Sequence, residues 1–65
     1  MSTTFGVITK SGEEIPVARR VGTSIFFTNE LAEMLHDEIK VVPLDNTEQG
    51  IYTIGDIRKA IKEQL

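Results

Sequence analysis

The chain has no cysteine, no tryptophan and one histidine, with two prolines, three phenylalanines and one tyrosine among 65 residues. The missing cysteines exclude a disulfide scaffold and a thiolate-ligated zinc module. No apolar run approaches the roughly 20 residues a helix needs to cross a bilayer. The start, Met1-Ser2-Thr3-Thr4, lacks the basic-then-apolar order of a signal peptide. A large excess of either charge is lacking too. Seven Lys and Arg face ten Asp and Glu, a net charge of −3, and 40% of the residues are hydrophobic, which argues against disorder. The expectation is one small cytoplasmic globular domain spanning residues 1–65.

That size raises an energetic question. A core of this length supplies roughly 3–5 kcal/mol, so small domains usually add a staple. With disulfides excluded and no metal site evident, the expected staple is a partner, either a second copy of the chain or another protein.

What is present reads as short elements between turn residues. Thr4–Thr9 and Glu14–Arg20 flank Lys10-Ser11-Gly12 and read as a hairpin. A two-residue turn at Ser11-Gly12 would set Phe5 opposite Ala18 and Val7 opposite Pro16. A three-residue loop with Gly12 in the left-handed region sets Val7 opposite Ile15 and Phe5 opposite Val17. It is preferred because it gathers all four large apolar side chains on one face. Gly6, Ile8, Glu14, Pro16 and Ala18 then occupy the other face, and Pro16, lacking a donor, marks an edge. After a turn at Val21-Gly22-Thr23, Ser24–Thr28 reads as a third strand. A helix follows from Asn29 to His36, burying Leu31, Met34 and Leu35. Ile39–Val42 is a further strand, stopped by Pro43, and Ile51-Tyr52 adds a bond or two to the sheet. The last helix runs from Ile54 to Gln64, with Thr53 as N-cap, Asp56 completing a capping box and Tyr52 stapled to Ile57. Its buried stripe is Ile54, Ile57, Ile61 and Leu65. The order ββ(β)αβα specifies an α+β fold: a small, mostly antiparallel sheet of three to four strands with two short helices on one face.

Few constellations carry chemistry. The segment Asp45–Asp56 in part resembles the twelve-residue calcium loop of the EF-hand and dockerin families. Asp45 stands at the first position, Gly50 at the sixth, Asp56 at the twelfth, and a helix follows. It departs at positions three and five, where Thr47 and Gln49 bear no charge, and a strand enters the loop where the family has a helix. Calcium is therefore not expected; Gly50 makes a turn and Asp56 caps a helix. His36 sits at a helix end without a nucleophile or further ligands at useful spacing, so it reads as a surface residue. No phosphate loop, serine elbow or carboxylate pair is present. Neither a cofactor nor a metal nor a catalytic residue is expected.

The charge is uneven. Residues 30–50 hold six acids (Glu30, Glu33, Asp37, Glu38, Asp45 and Glu48) against Lys40, a net of −5, while residues 1–29 and 51–65 each carry +1. Such asymmetry suits docking onto a partner. The expected function is a non-enzymatic protein-interaction or accessory domain that self-associates or docks on a protein. Its surface would be either the free sheet face around Ile8, Ala18 and Phe26 or an exposed strand edge, with Arg19, Arg20, Arg58 and Lys62 as charged contacts. An exposed Phe26 is what the sheet-face version requires. The alternative is a nucleic-acid-binding regulator using Lys10, Arg19, Arg20 and the basic last helix, disfavoured by the net charge.

Overall fold

A computed structural model of the chain describes residues 2–45 and 53–65. Strands β1 (Ser2–Ile8), β2 (Glu14–Val21) and β3 (Ser24–Phe27) are followed by the single turn of α1 (Glu30–Glu33), strand β4 (Val42–Pro43) and helix α2 (Ile54–Glu63). The four strands form one antiparallel sheet in the order β3-β2-β1-β4. Both helices pack on one face of it. Between them and the sheet lies a core of Phe5, Val17, Ala18, Ile25, Ala32, Val41, Ile54 and Ile57. This is the small α+β fold the element order specifies.

The first hairpin closes as the glycine predicts. Gly12 has φ of +90°, its N–H donates to the Thr9 carbonyl at 3.0 Å, and Thr9 N–H donates to Glu13 at 2.9 Å. Val7 pairs with Ile15 as expected, but Phe5 pairs with Ala18, not Val17. The register shifts between Phe5 and Gly6, leaving Val17 as the extra residue of a β-bulge. Near the turn the hairpin thus follows the preferred register, and beyond the bulge it follows the rejected one. The physical cause lies beside it: Pro16 has no N–H to hold a regular ladder there. Because the bulge turns the chain by one residue, Val17 and Ala18 are both buried, and Ala18 lies inside, not on the free face. Pro16 itself stands on an interior strand. Yet the β3 ladder reaches only to Ala18, and past it Thr28 alone meets β2, its N–H donating to the Val17 carbonyl and its hydroxyl to that of Pro16, so among the described residues Pro16 borders a stretch without a paired strand on that side. The second hairpin turns at Gly22-Thr23 with Gly22 at φ +62°, the type II′ pattern.

Three helical and strand expectations change. The first helix is one turn, capped by Asn29, whose side chain accepts from Ala32 N–H at 2.8 Å. A single turn presents one residue inward, and Ala32 takes that place; Leu31 and Met34 are 71% and 78% exposed. The fourth strand is Val42–Pro43 instead of residues 39–42. Gly6 pairs with Val42 and Phe5 with Pro43, so the proline lies within the strand. It can do so because β4 is an edge and the position lacking an N–H faces away from β1. Leu65 is 96% exposed, because α2 ends at Glu63 and the chain beyond it has left the core.

Helix α2 otherwise keeps its predicted start. Thr53 accepts from Asp56 N–H at 3.1 Å and Asp56 accepts from Thr53 N–H at 3.2 Å, a reciprocal capping box. The next two amides are met from a distant segment: Ile54 N–H donates to the Ile39 carbonyl and Gly55 N–H to that of Asp37. Thr53→Ala removes one acceptor from an exposed cap, and a loss of about 1 kcal/mol in urea unfolding is expected. A midpoint unchanged from the parent would mean the distant carbonyls hold the helix start unaided. The predicted pairing of Ile51-Tyr52, the Tyr52 staple and residues 46–52 of the calcium-like segment lie outside the described residues.

Candidate interaction surfaces

Strand alternation and the bulge together decide which side chains leave the core. Beyond the bulge, Arg19 pairs with Thr4 and Phe26 with Arg19, all on the face away from the helices. Toward the turn, Gly6 pairs with Pro16 and Val42, and Ile8 with Glu14, on the same face. This face therefore shows Ile8, Pro16, Phe26 and Val42 around Gly6, with the half-buried Leu44 lying over the glycine. Ile8 is 50% and Phe26 45% exposed, so the condition set for the sheet-face surface holds. Phe27, by contrast, faces the helices and packs on the core.

The proposed charged contacts separate in space. Arg19 is on the open face and donates to the Ser2 hydroxyl. Arg20, one residue on, points to the helix side, where it borders a groove with Ile25, Ala60 and Gln64. Lys10 lies in the hairpin turn at the other end of the sheet, and Lys62 is exposed on α2. Arg58 is not a free outer-face residue. Its guanidinium donates to the carbonyls of Glu33 at 2.7 Å and Leu35 at 3.2 Å and pairs with Asp37. It also stands 5.8 Å from the centre of the Phe27 ring, within cation–π range. Arg58 thus ties the chain after α1 to α2. Sequence reading missed this role because its hydrogen-bonding partners lie 21 to 25 positions away.

The expected open strand edges are also altered. At β4 the edge is two residues long and carries Pro43. At β3 the peptide of Ile25 is engaged by the side chain of Gln64: its N–H donates to Oε1 at 3.0 Å and its carbonyl accepts from Nε2. Both are devices that keep a sheet edge from recruiting strands. Nothing in the sequence marks Gln64, a polar residue at a helix end, for this task.

An apolar cleft of about 130 Å³ lies between the first hairpin and α1, lined by Val7, Ile15, Val17, Leu31, Ala32 and Leu35, among others. Among the described residues, no group of three or more His, Asp or Glu side chains is placed to hold a metal ion, and no helix is long and apolar enough to cross a membrane. Compared with protein-family models, with curated proteins and with solved structures, the chain has no significant match.

Proposed function

We propose that this chain is a non-enzymatic, cytoplasmic protein-interaction domain whose open sheet face receives a protein partner. The observation that supports this is the face itself. Among the described residues the helices cover one side of the sheet, and the other side exposes Ile8, Phe26 and Val42. Apolar residues within an open, half-polar face are what partner interfaces concentrate at their centre, and Arg19 and Glu14 on the same face supply a charged surround. A core this small gains stability when such a face is covered.

A second reading, binding of a single-stranded nucleic acid, draws on one observation: Phe26 lies cross-strand from Arg19 on the exposed face. An aromatic ring beside a guanidinium is a stacking platform for a base. The other basic groups weaken it, since Arg20 and Arg58 face elsewhere and Lys10 is at the far end of the sheet.

One experiment separates the two. The wild-type chain and an Ile8→Glu/Phe26→Glu variant are used as paired baits in the source cells' extract, after circular dichroism has shown that both are folded. A protein retained by the first and lost from the second, and resistant to nuclease, is expected. A partner held equally by both removes the sheet face from consideration. Material released by nuclease or by moderate salt transfers the assignment to the second reading.

A further inference from the structure

The outer edge of β3 is closed by a side chain where a strand would otherwise lie. A carboxamide offers one acceptor and a donor, as a peptide group does, and Gln64 uses both on the peptide of Ile25. In the β2–β3 ladder, Ile25 and Phe27 are the residues whose N–H and C=O point outward, since residues between them bond to β2. An open groove of about 430 Å³ follows this edge, bordered by Ile25, Phe26, Phe27, Arg58, Ile61 and Gln64, among others.

We infer that Gln64 is a displaceable cover, and that the strand beneath it pairs antiparallel with β3 of a second copy of this chain. Of the registers that pair outward-facing residues, one engages both Ile25 and Phe27 of each copy with each other. Ile25 exchanges both peptide bonds' hydrogen bonds with Phe27 of the second copy, and Phe26 meets its own counterpart on the twofold axis. Ser24 then faces Thr28. Every pair matches in kind, hydroxyl with hydroxyl and apolar with apolar, and no charge falls within residues 24–28. The half-exposed Phe26 becomes covered by its symmetry mate. Pro43 guards the other edge, so pairing stops at two copies and forms a closed, isologous dimer instead of a fibre. This inference stands on the strand edge and shares Phe26 with the sheet face proposed above; the Gln64 variants test it without altering that face.

The absence of native cysteine makes a clean test available. In the non-hydrogen-bonded pair on the axis, the two Phe26 Cβ atoms lie about 4.5–5.5 Å apart, near enough for a disulfide after small adjustment. Sedimentation velocity over a concentration series is run on the wild type, Gln64→Ala and Gln64→Glu, each confirmed folded by circular dichroism. Gln64→Ala is expected to dimerise about tenfold or more tightly than the wild type, because two internal hydrogen bonds no longer oppose pairing. Gln64→Glu, which keeps the acceptor for Ile25 N–H but repels the carbonyl, falls between them and decides the matter if Gln64→Ala does not fold. Under mild oxidation Phe26→Cys in the Gln64→Ala background cross-links to a dimer, whereas Ile8→Cys does not. Folded Gln64 variants that associate no more tightly than the wild type overturn the inference. Cross-linking at residue 8 and not at 26 also overturns it, and shows face-to-face stacking of the sheet instead.

Discussion

Gly6→Ala is expected to cost about 2 kcal/mol or more and to lower the melting temperature by roughly 10 °C, although the residue has an ordinary strand φ. The cause is a close approach of backbones. A Cβ at Gly6 would stand 2.6 Å from the Ile15 carbonyl oxygen and 2.6 Å from Leu44 Cδ1. Leu44 is able to rotate aside, but the carbonyl belongs to the paired strand next to the bulge and moves only if β1 and β2 separate. Gly12→Ala supplies the contrast. That position has φ of +90° but open space around it, so its cost is conformational only, about 1 kcal/mol. Urea unfolding of the three proteins should rank them wild type, Gly12→Ala, Gly6→Ala. If Gly6→Ala is as stable as the wild type, the strands have room to part at the bulge and the open face is more pliable than its geometry indicates.

Arg58→Ala should destabilise the fold by about 2–3 kcal/mol. The guanidinium serves two backbone carbonyls, a carboxylate and an aromatic face at once. The carbonyls of Glu33 and Leu35 are acceptors at and after the end of α1, where a helix leaves carbonyl groups without internal partners. Alanine returns them to water and frees the segment that carries Leu31, Met34 and Leu35. The salt bridge to Asp37 adds little, since both side chains are partly solvated, at 34% and 63% exposure. Most of the effect therefore comes from the carbonyls and the ring. Arg58→Lys separates these contributions. A lysine keeps the charge but has no planar fork to span two carbonyls, so it should recover less than half of the loss. Full recovery by lysine would show that charge alone holds the segment. Amide hydrogen exchange read at residues 31–39 should rise in Arg58→Ala before it rises in β1 and β2.

These two positions mark where sequence reasoning stops. Helix α2 was legible because its signals are local: a Thr and an Asp three apart, then isoleucines at helical spacing. The Gly12 loop was legible because only glycine readily takes a left-handed position. Phe26 and Phe27 were separable onto opposite faces by strand alternation alone. The same alternation misplaced Ala18, because one extra residue at Val17 reverses every assignment after it. Pro16 signals an interruption of the ladder but not which residue will be left over. The first helix is shorter than its spacing predicts: Leu31, Met34 and Leu35 recur at helical positions, but the helix ends after one turn, Leu35 alone of the three packs against the core, and the carbonyls of Glu33 and Leu35 are met by Arg58, far along the sequence.

By itself the sequence determined the fold class, the Gly12 turn and the Thr53 cap, and the exclusion of disulfide and thiolate-zinc designs, since each follows from residues close together or from the absence of cysteine. The tertiary structure alone decided which sheet face is open, that Arg58 is engaged inside the fold, and that Gln64 covers the edge of β3. Those outcomes depend on groups brought together from 20 to 40 positions apart, as with Gln64 and Ile25, 39 residues distant. No spacing rule encodes such a meeting, because it is selected by the packing of the whole core.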